Sequence, residues 1–467
     1  IKNGETQKKD TYWQKYCIYS IVGGDNKRGK RIIKIRRQDM EYTEGSLFHL
    51  LEKGTSAVMA VQEAAVRLEA AGFEELSFQD IWRLAESGKY YVKHHDTSLF
   101  AFTLKKQSGY KDMIRIGAAH TDFPCLRIKP NPDVKAGGYS QINVEVYGGA
   151  ILNTWLDRPL SISGRVALAS DDVLHPLIRN ISVERTLGVI PNLAIHMNRD
   201  VNKGLELNKQ TDLLPILGLE KKEQEKRFLH FLAKELGTGP EKILDYELWV
   251  YCGQKPQYAG LEGELIISPR LDNLTSVQAL LTGIMESRCE EGINAVALFD
   301  HEEVGSRTKQ GAGSLLLTNF LQRVLEAMGR TPAQISSSLY DAFLLSVDVA
   351  HGMHPNQMGK MDITNKPVLG KGLCIKEAAS QSYATDCQAV AVVEQICRKE
   401  NIPYQKFVNR SDLVGGGTLG AVASGLLPVR TVDIGVPLLA MHSAVETMGT
   451  EDMQALTDLI CAYFQTV

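Results

Sequence analysis

Five short stretches of this sequence combine histidines and carboxylates in ways that could do chemistry. The first is His120-Thr121-Asp122, the second Arg270-Leu271-Asp272-Asn273-Leu274, and the third Asp300-His301-Glu302-Glu303-Val304-Gly305-Ser306. The fourth runs from Ser346-Val347-Asp348-Val349-Ala350-His351 to Pro355-Asn356, and the last is Met441-His442-Ser443-Ala444-Val445-Glu446. A histidine with an aspartate two residues on can set a metal ligand beside the carboxylate that orients it; His120 reads equally well as a satisfied histidine at a strand end. Asp272 reads equally well as a helix N-cap. The adjacent carboxylates of the third stretch say more, because behind an apolar run they are costly unless a cation neutralises them. One can then ligate metal while its neighbour takes a proton from an activated water. A solvated acidic turn is the plainer alternative, and the buried character of the preceding run disfavours it. Together the stretches offer two histidines and three carboxylate ligands around a further glutamate. That N/O set suits zinc, with cobalt or manganese as substitutes.

These residues recur at one kind of place. Ile114–Ala119 precedes His120, Ala295–Phe299 precedes Asp300, Phe343–Val347 precedes Asp348 and Val436–Met441 precedes His442. Ligands gather outside the carboxyl ends of strands in an α/β sheet, so four strand ends are expected to share one site. Helical patterns over Ser56–Ala71, Leu274–Met285, Leu315–Met328 and Cys387–Lys399 lie among them. The alternation predicts an α/β fold, a mostly parallel sheet flanked by helices. Between Cys125 and Tyr258 the pattern changes to short alternating runs, Gln141–Val146 and Ser161–Leu168, with a polar helix near Lys221–Leu236. A β-rich domain of residues 125–258 is therefore expected, inserted into a catalytic domain of residues 1–124 and 259–467, of which 1–45 match no clear pattern.

The 467 residues carry a formal net charge of -3, and 44% are hydrophobic. Nothing in that balance favours nucleic acid or an anionic membrane as partner, and the basic run Lys27–Arg37 reads as a solvated face or loop. Eight cysteines occur with no CxxC and no compact framework, and Cys289, Cys397 and Cys461 sit in apolar runs. That is the usage of reduced, buried thiols in a cytoplasmic protein. No apolar run reaches about 18 residues and no signal-peptide pattern is evident, which argues against membrane spanning and secretion.

In this order, the five stretches make the chain resemble the aspartyl aminopeptidase and aminopeptidase I family, metallopeptidase family eighteen, from about Ser46 onward. The resemblance implies a zinc-peptidase core of the phosphorylase/hydrolase-like type. It implies a dinuclear zinc aminopeptidase that releases N-terminal amino acids from short peptides. His120 and Asp348 would bind one zinc, Glu303 and His442 the other, and Asp272 would bridge them. Glu302 would be the general acid/base and Asp122 would orient His120. The family also implies a homo-oligomer, a tetrahedral dodecamer, with the inserted domain helping to form contacts and complete the active site.

Further substrate-side candidates follow from the same resemblance. Lys376 matches a substrate-side loop and could pair with a carboxylate, or be an exposed loop lysine. His196, in Leu193-Ala194-Ile195-His196, matches a segment from which a neighbouring subunit can supply a histidine. Gly415-Gly416-Gly417-Thr418-Leu419-Gly420 lacks the P-loop lysine and reads as a backbone wall of the substrate pocket, with Thr418 in it. His351 could support a ligand, touch substrate or be structural. Phe123 stands where the family pattern leads one to expect a small polar residue, and could reshape the pocket or merely pack. Acidic and neutral N-terminal residues therefore both stay open as substrates. A zinc carboxypeptidase or deacylase on the same core would need a cation for a carboxylate, and Lys376 is the obvious candidate. A non-enzymatic interaction protein would be favoured by loss of a ligand or of Glu302, and none is missing.

Overall fold

The computed structural model describes residues 46–106, 112–220 and 225–466; the run Lys27–Arg37 and the rest of 1–45 lie outside them. Ile114–His120, Gly292–Phe299 and Phe343–Val347 are strands buried along their whole length, as strands covered on both faces must be. They are neighbours in a nine-stranded central sheet. Gly292–Phe299, Ile114–His120, Phe343–Val347 and Arg430–Gly435 lie side by side in that order and run parallel. Ser98–Lys105 and Leu373–Glu377 flank this block antiparallel to it. Phe299 pairs with His120, and Val347 with Ile434, so the residues that follow these strands emerge along one edge.

Both faces of the sheet are covered by apolar helices. Phe299 and Leu344 pack with Phe320, Ile335 and Leu419 from helices Leu316–Ala327, Pro332–Asp341 and Leu419–Leu426. On the other face Val296 and Leu345 pack with Ala64, Leu280 and Leu456 from Ala57–Ala70, Leu271–Glu286 and Thr450–Phe464. A second sheet of six antiparallel strands is drawn wholly from Cys125–Cys252 and includes Tyr139–Tyr147 and Leu160–Leu168. The expected helix is present as Arg227–Leu236; positions 221–224 of the expected pattern lie outside the described residues.

One expected strand end is corrected. Of Val436–Met441 only Pro437–Leu439 is a strand, and it belongs to a separate five-stranded sheet with Glu446–Gly449 and Leu265–Ser268. Arg430–Gly435, buried from Thr431 on, holds the place in the central sheet. Arg430, Thr431 and Asp433 make this strand less apolar than Val436–Met441, so hydropathy favours the wrong run and only the pairing tells them apart. His442 therefore enters the site from a turn, at φ 67°, and not from a central strand end. Asp272 likewise follows a strand of the five-stranded sheet, and its side chain caps no helix.

Among the described residues no helix is long and apolar enough to cross a membrane. Every cysteine among them is a free thiol, Cys397 buried, Cys289 and Cys461 half-buried.

Candidate metal centre

The strand ends and the His442 turn converge on a cluster of imidazoles and carboxylates. His120 Nε2 lies 3.5 Å from Asp272 Oδ1 and 3.6 Å from Asp348 Oδ1. His442 Nε2 lies 3.4 Å from Asp272 Oδ2 and 3.5 Å from Glu303 Oε2. Such separations are long for hydrogen bonds. They match the edge of a tetrahedron whose metal–ligand bonds are 2.0–2.2 Å, about 3.3–3.6 Å. Two triads that could hold a metal ion result, His120 with Asp272 and Asp348, and Asp272 with Glu303 and His442. His120, Glu302 and Glu303 form a third close group. Asp272 Oδ1 and Glu303 Oε1 are buried with no hydrogen-bond partner, a costly state for carboxylate oxygens without a cation. Orphaned oxygens and an imidazole–carboxylate donor set fit a divalent cation of the zinc type.

The supporting residues are partly those expected and partly not. His120 Nδ1 donates to the backbone carbonyl of Asp122 at 2.9 Å, so Nε2 is the nitrogen that faces the carboxylates and would offer its lone pair to a metal in place of a proton. The Asp122 carboxylate stands beside the same Nδ1, with Oδ1 at 3.4 Å, and has further partners. Its Oδ1 accepts from Glu302 N and its Oδ2 from Glu303 N, each at 3.1 Å, and Tyr147 Oη donates to Oδ2 at 2.7 Å. Asp122 thus orients His120 through its main chain and anchors the Glu302–Glu303 turn through its side chain. Glu446 was missed as a site residue. Its Oε1 accepts from His442 N at 2.9 Å and its Oε2 from Asp272 N at 3.0 Å, so one buried carboxylate ties two ligands together. Its position four residues after His442 was the available signal. Tyr147, from the second sheet, had none.

Crowding of acids shows in their proton affinities. Burial lifts the Glu302 carboxyl to about 8, with Asp348 and Asp122 adding to the shift and His120 opposing it. Burial and then Asp272 push Glu303 well above the carboxylate range and Glu446 up to about 8. Asp348 goes the other way: burial alone would raise it, but the charges of Lys376 and His120 hold it below its ordinary value. A bound divalent ion would reverse the mutual repulsion of the acids.

A cavity of about 660 Å³ opens over the cluster, with His120, Glu302, Asp348 and His442 on one side and Gly416–Thr418 on another. Lys376 lines it from the strand Leu373–Glu377; it is buried, not an exposed loop lysine. Its Nζ donates to Val349 O at 3.0 Å and lies 3.4 Å from Asp348 Oδ2. His351 lines the cavity, and Thr418 does so with its hydroxyl donated to Asp433 Oδ1 at 2.6 Å. His196 is exposed and is not among the lining residues of this chain's cavity. Phe123 does not line it either; the ring is buried, with the Arg270 guanidinium 5.7 Å over its face.

A family model described as the aminopeptidase I zinc metalloprotease (M18) matches residues 50–464. The chain belongs to this family. Among its M18 relatives is one from Clostridium novyi (strain NT) named a probable M18 family aminopeptidase 2. It is 43% identical over 409 residues, covering 87% of this chain and 94% of its own. A counterpart from Clostridium acetobutylicum is 42% identical over 419 residues, 89% of this chain and 96% of its own. Among solved structures, that of an Ape4 and Nbr1 complex overlays with a TM-score of 0.86 at 34% identity, covering 90% of this chain and 84% of the other. The S. cerevisiae mApe1 dodecamer overlays with a TM-score of 0.78 at 25% identity, covering 90% and 96%. As an M18 member the chain is a metalloaminopeptidase, a peptide hydrolase.

Proposed function

We propose that this aminopeptidase works with two zinc ions per chain and releases N-terminal amino acids from short peptides, with Glu302 as general acid/base. The observation that carries the reading is Asp272, whose two carboxylate oxygens face different histidines, His120 and His442. His120 and Asp348 complete one position with it, Glu303 and His442 the other. Bound zinc supplies Lewis acidity and lowers the pKa of water toward neutrality. The chain's own residues do the remaining work. Glu302, on the cavity surface beside both positions, takes a proton from the attacking water and returns it to the leaving amine nitrogen. Asp122 holds the Glu302 and Glu303 backbone in place from below.

Residues 125–258 are proposed as the inserted domain, and the molecule as a cytoplasmic homo-oligomer, a tetrahedral dodecamer; mApe1 is described as a dodecamer. Leu193, Ile195 and Met197 flank His196 and are 53%, 46% and 72% exposed, which supports burial of this segment, His196 included, against a neighbouring subunit.

The test is hydrolysis of Leu-, Asp- and Glu-p-nitroanilides and their N-acetylated forms, with and without a chelator. Chelator-sensitive cleavage of the free-amine substrates alone is expected. Cleavage of the N-acetylated forms, or none by protein holding two metals, overturns the reading.

Lys376 supports a preference for acidic N-terminal residues. Its ammonium carries three protons; Val349 O and Asp348 take two, leaving one for a substrate carboxylate. A charge-assisted hydrogen bond contributes about 1.5–3 kcal/mol, so Lys376→Met is expected to lower the Asp-to-Leu ratio of kcat/KM by about 10–100-fold. An unchanged ratio removes Lys376 from side-chain recognition.

A further inference from the structure

The segment that leaves the strand Tyr139–Tyr147 of the second sheet runs along one side of the metal centre. Tyr147 packs edge-on against Trp249, with ring centroids 4.8 Å apart, while its hydroxyl reaches Asp122. Gly148, at φ 72°, passes so close to Glu303 that a Cβ there would stand 3.2 Å from the Glu303 Cβ and 3.3 Å from its Oε2. A Cβ at Gly149 would stand 3.1 Å from His442 Nδ1. The carbonyl of Gly149 accepts from that same nitrogen at 3.2 Å, which turns Nε2 toward Asp272 and Glu303. Ile151 N donates to His442 O at 2.9 Å, and Thr154 Oγ1 accepts from Ala444 N at 2.9 Å. His120 and Asp348 take their partners elsewhere. His120 Nδ1 is held by Asp122 O, Asp348 N donates to Ile434 O at 2.8 Å, and its carboxylate faces Lys376.

We infer that the segment of residues 148–154, beyond the Tyr147 contact to Asp122 that both positions share, is a positioning strap for one metal position, that of Glu303 and His442. The His120–Asp348 position is built by the central sheet without it. The inference rests on the two-ion reading above and goes beyond it: the two positions differ in what holds their ligands, so they load with different affinities, and the strap sets the weaker one. A Cβ at either glycine would press on Glu303 or His442, which must give by a few tenths of an ångström, and the Gly149 carbonyl fixes the His442 tautomer as supporting groups of metal ligands generally do.

The test is zinc binding by the full-length protein, followed by calorimetry and by competition with a chromogenic chelator. The variants are Gly149→Ala, which crowds the His442 ring, and Thr154→Val, which leaves Ala444 N without its acceptor. Wild type is expected to bind two zinc ions in distinguishable steps. Each variant is expected to keep the tighter step and to weaken the other by about 10–100-fold. If Gly149→Ala does not fold, Thr154→Val decides alone. Two unchanged steps overturn the strap, and so does equal weakening of both, which would mark general structural damage. One zinc ion per wild-type chain overturns the two-ion reading instead, whereas two ions taken up in a single step overturn the difference in affinity; both outcomes appear before any variant is made.

Discussion

Glu302→Gln is expected to lower kcat by about 10²–10⁴-fold, the usual contribution of a positioned acid/base group, while zinc content stays at the wild-type level. The amide keeps the size of the side chain but cannot take up a proton. The backbone is unaffected, since the anchor from Asp122 runs to the main-chain N–H of Glu302. Neither of the two triads assigned to zinc uses the Glu302 carboxylate. The check is kcat on a free-amine p-nitroanilide together with metal analysis of the same sample. Near-wild-type kcat at full occupancy would remove Glu302 from proton transfer. Loss of zinc along with activity would instead favour the grouping in which Glu302 stands with His120 and Glu303 as a ligand.

Asp272→Asn should fail differently. Both triads draw on this carboxylate, one oxygen each, and an amide offers one acceptor oxygen and a pair of donor protons in its place. Zinc affinity is expected to fall at both positions, beyond the roughly 10–100-fold typical of losing a merely supporting residue. The metal-free protein should not be weakened in parallel. There Asp272 Oδ1 has no hydrogen-bond partner and the carboxylate makes only the long approaches of 3.5 and 3.4 Å to His120 and His442, so the substitution removes little, while the Asp272 N–H bond to Glu446 can persist. Thermal melting with and without zinc separates the two effects. A ligand at a hundred times its dissociation constant stabilises by about 2.7 kcal/mol per site, so wild type should gain a clear zinc-dependent rise in Tm that the variant lacks. A variant that still holds two zinc ions would show the bridge to be misassigned.

Much of this centre was legible in the sequence because its ligands sit where local pattern changes abruptly. Phe343–Val347 is a buried strand with the bounds read from hydropathy, and Asp348 follows it at once. Asp300 to Glu303 follow Gly292–Phe299 in the same manner. Pattern failed where a decision depended on pairing. Val436–Met441 is the more apolar run, whereas Arg430–Gly435 carries Arg430, Thr431 and Asp433, and yet pairing with Phe343–Val347 puts the latter in the central sheet. It failed again for contacts between distant segments. The Gly149 carbonyl meets His442 across 293 positions of chain, and neither residue type nor spacing announces that. Phe123 shows the converse: a conspicuous residue in the motif turned out to pack against Arg270. Lys376 was legible as a residue but not as an environment, because its burial comes from strands on either side.

The order of strands in the central sheet also bears on how the molecule is assembled. Leu373–Glu377 and Tyr404–Val408 pair with each other, and Arg430–Gly435 joins them to Phe343–Val347. A strand late in the chain is thus wedged between two segments made earlier. Loop-closure entropy must be met before such non-local pairing is rewarded. During synthesis the wall that carries Lys376 has no docking strand until residue 430 and beyond have emerged, and His442 follows only after that. With His442 a ligand as proposed, a growing chain is expected to be catalytically silent until its late central strand is in place. A hydrolase of peptides is in this way kept from acting before its fold is closed.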